Sequence, residues 1–236
     1  MTCLYNSFTE SEHVWFALPS ANLYMAKKTF PIWKQLGYKI AVICPDKYTR
    51  EYSSLVDLMI TESEIGGYRG WPHAVNHLSK VLTQYDIIIA GGDDMYPDPN
   101  YEAHQLRLQF VRHFGGTCGV MQPYGDKFGS MAYDTCEQIC GSAWLGKEFR
   151  DKINNNNGPL WHEYWHMYAD TELYQIAKKY NYLWVREDLS QYHEHRTRDK
   201  KNNNNFRPTI PPNNTAIAKK MYDNRKLLGF PGSEPI

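Results

Sequence analysis

Apolar and polar positions along the chain fall into blocks whose period changes from element to element. Val14-Trp15-Phe16-Ala17-Leu18-Pro19 is a continuous apolar run closed by Pro and Ser, which predicts a buried strand. Residues 22–36 carry Leu23, Ala26, Phe30, Trp33 and Leu36 at helical spacing, with Gly37 as the stop, and predict a helix. Tyr38 to Cys44 reads as a second buried strand ended by Pro45-Asp46, and Leu58-Met59-Ile60 as a short third. Gly66, Gly67 and Gly70 mark a turn, after which 72–84 predicts a helix. Tyr85 to Ala90 is the clearest strand, and it runs directly into Gly91-Gly92-Asp93-Asp94.

In the second half, Leu106, Phe110, Val111 and Phe114 predict a helix over 100–114. Pro159, Leu160, Tyr164, Met167, Leu173 and Ile176 predict another over 159–180, with Pro159 in its first turn. Tyr182-Leu183-Trp184-Val185 and Leu189 to His195 are candidate strands, and a short basic helix is expected near 215–228. The asparagine runs 154–157 and 202–205 read as low-complexity loops. Strands alternating with helices at this spacing imply an α/β fold: one domain with a central, mainly parallel sheet flanked by helices. In such sheets ligands sit beyond the carboxyl ends of the strands, where Pro19-Ser20, Pro45-Asp46 and Asp93-Asp94 all fall.

Composition narrows the class. The 236 residues include 26 Lys+Arg and 26 Asp+Glu, so the formal net charge is zero, which argues against a nucleic-acid partner held by a basic surface. At 42% hydrophobic residues there is ample material for a packed core. The longest apolar stretches, such as Ile87-Ile88-Ile89-Ala90, are far short of the ~20 residues that cross a bilayer, so no transmembrane segment is expected. Met1 to His13 is polar and acidic, without the basic-then-apolar order of a secretory leader. Five cysteines are an odd number in a chain of this size, and Cys44 and Cys118 sit in apolar surroundings as buried thiols. The expected compartment is the cytoplasm.

Two constellations point to chemistry. Asp93-Asp94 ends a buried strand behind two glycines, which leave room for a ligand to approach closely. Adjacent carboxylates repel unless donors or a cation satisfy them, and hard oxygen donors suit Mg2+ or Mn2+ carrying phosphates. Downstream, Asp170-Thr171-Glu172 precedes Tyr192-His193-Glu194-His195; if 189–195 is extended, His193 and His195 share a face.

Together these stretches resemble the nucleotide-sugar glycosyltransferases of the GT-A fold, especially the family 2 type. The resemblance covers roughly residues 14–196 and rests on order and spacing: a strand ending in a DxD-like motif (Ile87 to Pro97), then an acidic dyad opening a helix, a strand and a histidine. It implies a nucleotide-sugar-binding half over 14–100, an acceptor and catalytic half over 101–200, and a tail with a helix over 201–236. It implies a donor, uridine diphosphate-linked by family default, contacted by Pro19, Asp46, Arg69, Gly92 and Asp93. It further implies Mn2+ or Mg2+ held by Asp93, Asp94 and His193, and Asp170 as the base that activates a glycan or other hydroxyl acceptor with inversion. Trp144, Trp161 and Trp165 are candidate stacking surfaces for the acceptor sugar. Two positions depart from the pattern. Gly91 stands where the first DxD acid belongs, and Ala169 where the first acid of the dyad belongs, leaving Asp170 as the candidate base; Glu172, one turn off that face, is expected to be structural.

Three alternatives compete. His162-Glu163-Tyr164-Trp165-His166 matches H-E-x-x-H, which on a helix would make a zinc metallopeptidase. Gly91 and Ala169 leave open a non-catalytic sugar- or nucleotide-binding protein. Sugar nucleotidyltransferases share a similar sheet, but their glycine- and arginine-rich loop after the first strand is missing here.

Overall fold

The computed structural model describes residues 12–123, 139–194 and 211–234. Three strands with near-continuous apolar sequence, β1 (Val14–Pro19), β2 (Lys39–Cys44) and β4 (Ile87–Ala90), form the buried centre of one sheet. The outer strands are β3 (Leu58–Thr61), β5 (Val120–Pro123), β6 (Trp144–Gly146) and β7 (Leu183–Arg186). Their order is β3-β2-β1-β4-β6-β5-β7, with β6 antiparallel to both neighbours and every other pairing parallel.

Because side chains alternate across a strand, β1 splits its apolar residues between two cores. Trp15 and Ala17 face one core, covered by α3 (Trp71–Val81), α6 (Ala169–Lys179) and α7 (Asn214–Leu227). Val14, Phe16 and Leu18 face the other, covered by α1 (Leu23–Gln35) and α4 (Ala103–Phe114). Two short helices, α2 (Thr49–Tyr52) and α5 (Lys147–Lys152), complete the layers. The described residues thus form an α/β/α sandwich on a seven-stranded, mainly parallel sheet with strands from both predicted halves. Among the described residues no helix is long and apolar enough to cross a membrane.

The topology gathers particular segments at one edge. The carboxyl ends of β1, β2 and β4 lie together because the strands are parallel. Since β6 is reversed, its amino end arrives at the same edge, with Ala90 N–H bonded to Ala143 O at 2.9 Å. Cys140 N–H in turn reaches Asp170 O at 3.1 Å, bringing the start of α6 there.

Several expectations are corrected. The predicted helix over 159–180 begins only at Ala169. Residues 159–168 form turns because tertiary bonds claim their backbone: Asn76 holds Leu160 through N–H (3.0 Å) and C=O (2.6 Å), Trp165 O accepts Trp71 N–H at 2.8 Å, and Tyr168 is left-handed at φ 72°. The predicted strand over 189–195 reduces to a bridge between His193 and Met95. Strands β5 and β6 and helix α5 were not foreseen. Asn154 is buried rather than part of a solvated loop, and Cys118 is only partly buried. His195, Cys3, Cys136 and the asparagines 202–205 lie outside the described residues.

Candidate active site

Asp93 is held by β1 and α1. Ser20 Oγ donates to its Oδ2 at 2.6 Å and Asn22 N–H does so at 3.2 Å, while Ser20 Oγ also meets the Tyr52 hydroxyl at 2.6 Å. Asn22 caps α1, accepting Met25 N–H on its Oδ1 at 3.3 Å. Thr29 Oγ1 donates to Asp93 O at 2.8 Å, and Trp33 Nε1 to Met95 O at 2.8 Å. Withdrawal from water raises the Asp93 pKa to about 7, the Asp94 charge adding to the rise and the Ser20 and Asn22 bonds opposing it. Ser20 lies at the strand end where the sequence places a ligand, but nothing local announces its bonds to Asp93 and Tyr52.

Asp94 faces another way. Its Oδ1 lies 3.0 Å from His193 Nε2. The backbone fixes this meeting: Glu194 N–H donates to Asp94 O and Tyr96 N–H to Tyr192 O, each at 2.8 Å. Lys28 of α1 clamps the same strip by bonding Glu194 at 2.6 and 2.8 Å, and Tyr96 OH adds a bond to Glu194 at 2.6 Å. The expected trio of Asp93, Asp94 and His193 therefore resolves into an Asp94–His193 pair and a separately satisfied Asp93. Among the described residues no three His, Cys, Asp or Glu side chains converge as a metal site.

Asp170 sits in the first turn of α6, where the helix N-terminus favours a carboxylate. Its Oδ1 accepts Thr171 N–H at 2.8 Å and Thr171 Oγ1 at 3.3 Å. Desolvation raises its pKa, against the Thr171 bonds and the nearby His166. His166 packs edge-on against the Trp71 ring, with centroids 6.4 Å apart. Its pKa is lowered by desolvation and by the charge of His193, against Asp170 and Asp94, so the four groups are near enough to interact. Asp93 and Asp170 keep partial solvent access and His166 is exposed, so the carboxyl edge of the sheet is the candidate cleft. His166 was noticed in the sequence only as one letter of H-E-x-x-H.

The other expected site residues scatter. Gly92 adjoins Asp93 in the strand-end turn, and Pro19 ends β1 one residue before Ser20. Asp46 is exposed, its carboxylate taken by Ser63 N–H (3.2 Å) and Ser63 Oγ, which hold its pKa down. Arg69 is exposed in the glycine-rich turn. Trp144 is corrected outright: it is 1% exposed in the core, bonded to Gln191 and edge-packed on Tyr38, so no ring face is free for a sugar. Trp161 has a face covered by the Arg225 guanidinium at 3.4 Å. Trp165, against Tyr68 at 5.8 Å and next to His166, remains on the cleft wall. The peptidase alternative loses its geometry, because His162 to His166 is not helical and Glu163 is bonded to Trp161 Nε1 at 3.1 Å.

Gly91 explains one departure from the DxD pattern. A Cβ there would lie 2.7 Å from Phe16 Cε2 and 2.9 Å from Met95 Sδ, so an acid has no room.

No protein-family model matches the sequence, and no curated protein matches it. Among solved structures, the chain is similar to the catalytic domain of Drosophila beta1,4-galactosyltransferase 7 in complex with xylobiose, at 14% identity and TM-score 0.49, over 88% of this chain and 79% of that one. It is also similar to A197 from STIV (12% identity, TM-score 0.41, 78% and 86% covered). A third is the inositol-1-phosphate CTP transferase from T. maritima (7% identity, TM-score 0.40, 91% and 98% covered). Likenesses of this size concern the chain trace alone.

Proposed function

We propose that the cleft binds a nucleoside diphosphate sugar, with uridine the expected base, and transfers the sugar to an acceptor hydroxyl with inversion. The observation that carries this reading is the Asp94–His193 pair, 3.0 Å apart, sharing an opening with the Asp170 carboxyl, whose pKa is raised toward the working range of a general base.

The chemistry follows from the residues. Asp170 accepts the proton of the acceptor hydroxyl as its oxygen bonds to the anomeric carbon. The bond from that carbon to the diphosphate breaks, its electron pair leaving with the phosphate through an oxocarbenium-like state. Attack opposite the leaving group inverts the centre. Trp165 offers a ring face to the sugar. The mixed carboxylate–imidazole pair of Asp94 and His193 fits an ion that takes its remaining ligands from phosphate and water, and suits manganese better than magnesium, which prefers oxygen alone. Such an ion, when bound, neutralises charge on the departing diphosphate. Asp93, anchored by Ser20 and Asn22, shapes the donor side.

The test is release of uridine diphosphate from UDP-glucose, UDP-galactose and UDP-N-acetylglucosamine with manganese present. Asp170→Asn is expected to lower turnover by about 10²-fold or more while uridine diphosphate binding, read by calorimetry, is kept. A fully active Asp170→Asn protein removes the base assignment.

A further inference from the structure

Glu172, two residues beyond Asp170, is 1% exposed, and both its oxygens are engaged. Arg225 of α7 donates to Oε1 through Nη2 at 2.7 Å and Nε at 3.1 Å, and to Oε2 through Nε at 2.9 Å. The Tyr164 hydroxyl donates to Oε2 at 2.8 Å and the Ser233 hydroxyl to Oε1 at 3.1 Å. Arg225 is itself fixed by Ser233 Oγ at 2.9 Å, by Pro231 O at 3.2 Å and by its stack on Trp161. Three stretches of chain thus meet at one carboxylate: 161–164, the first turn of α6, and the C-terminal segment.

The C-terminal segment also has an apolar anchor apart from this cluster, since Ala218 and Tyr222 of α7 and Phe230 beyond it are buried in the core. A buried ion pair also adds little stability over apolar residues of the same volume. What it does supply is direction, because a forked guanidinium admits few orientations of its partner. Direction matters here because of the neighbours. Glu172 shares its helical turn with Asp170, and Tyr164 leads straight into Trp165 and His166 on the cleft wall.

We propose that Arg225 is a positioning residue: through Glu172 and Tyr164 the C-terminal helix sets the orientation of Asp170 and of the Trp165–His166 wall. The inference rests on Asp170 acting as the base. Misplacement of a catalytic group by about 1 Å can cost 10²-fold in rate.

The experiment compares wild type with Arg225→Met, Arg225→Lys and Arg225→Ala in the full chain. It reads UDP-sugar turnover with water as acceptor, calorimetric affinity for uridine diphosphate with manganese, melting temperature and tryptophan fluorescence. Arg225→Met, apolar and of similar length, leaves the Glu172 charge buried and is expected to lower the melting temperature, while its folded fraction binds uridine diphosphate within about twofold of wild type with kcat per folded molecule lowered at least tenfold. Arg225→Lys is expected to recover little, and millimolar guanidinium to restore part of the Arg225→Ala rate. Wild-type kcat in Arg225→Met overturns the proposal. So does a parallel loss of kcat, nucleotide affinity and folded fraction without guanidinium rescue, which marks a structural role alone. A wild type inactive on every UDP-sugar overturns the functional reading and this inference with it.

Discussion

At the residue scale, Asp93 shows how environment sets chemistry. An unfolded aspartate loses its proton near pH 4, whereas this one holds it to about 7 because burial penalises the charge. Between those values the folded chain carries a proton that the unfolded chain lacks, so stability falls as pH rises, by at most about 1.4 kcal/mol per pH unit for this group. Asn at 93 keeps an acceptor for Ser20 and Asn22 and removes the titration. Measured in EDTA, the melting temperature of Asp93→Asn relative to wild type should therefore climb from pH 5 to pH 8; a constant difference would assign the titration to another group. Gly91 poses the opposite question. Phe16 is fully buried and stacked on Trp33 at 4.1 Å, so it cannot yield to a side chain at 91. Gly91→Asp, which would restore the missing acid of the DxD pattern, is expected to lose about 1–3 kcal/mol in urea denaturation without raising turnover.

At the element scale, what the chain reveals depends on how much of an element's burial comes from its own pattern. Strands β1, β2 and β4 are legible because Val14 to Leu18, Ile40 to Cys44 and Ile87 to Ala90 are apolar on both faces, as a covered parallel sheet demands. Strand β6 has three residues and reads equally as loop or platform, which is why Trp144 passes for a sugar-stacking surface until its burial is seen. The stretch 159–168 imitates a helix because Leu160 and Tyr164 are indeed buried, at 1% each, but Met167 is 40% exposed and the backbone bonds go to Asn76 and Trp71 instead. Those partners lie far away in sequence and leave no local trace. The same contact makes a sharp test. At Gly70, φ is 101° and a Cβ would fall 2.0 Å from Trp165 O, whereas Gly67, at φ 93°, has nothing within 4 Å. Both alanine variants incur left-handed strain, but only Gly70→Ala also drives the cleft wall away. Gly70→Ala should lose about 1–3 kcal/mol more than Gly67→Ala, and equal losses would mean that the turn, not the contact, matters.

At the scale of the whole molecule, the sheet topology brings together what the sequence separates. Asp94 and His193 meet because the segment after β7 returns to pair beside the end of β4, and Asp170 joins them because reversed β6 carries Cys140 to the start of α6. The carboxyl-edge rule makes this region, Ser20 included, legible in advance, but not its detail: Tyr52 and His166 belong to it through contacts that no spacing foretells. This division also predicts how ligand binding distributes over the molecule. A ligand that binds only the folded chain stabilises it by about 2.7 kcal/mol at a hundred times its dissociation constant, so a donor analogue can be read from unfolding alone. If Asp94 and His193 serve the diphosphate while Asp170 serves the acceptor, uridine diphosphate with manganese should raise the melting temperature of wild type and Asp170→Asn alike. His193→Ala should keep its own fold, since that ring is partly exposed at the end of the strip, but lose the manganese-dependent part of the shift. Equal shifts in all three proteins would move the nucleotide away from the Asp94–His193 pair, and a shift missing only from Asp170→Asn would exchange the roles of the two walls.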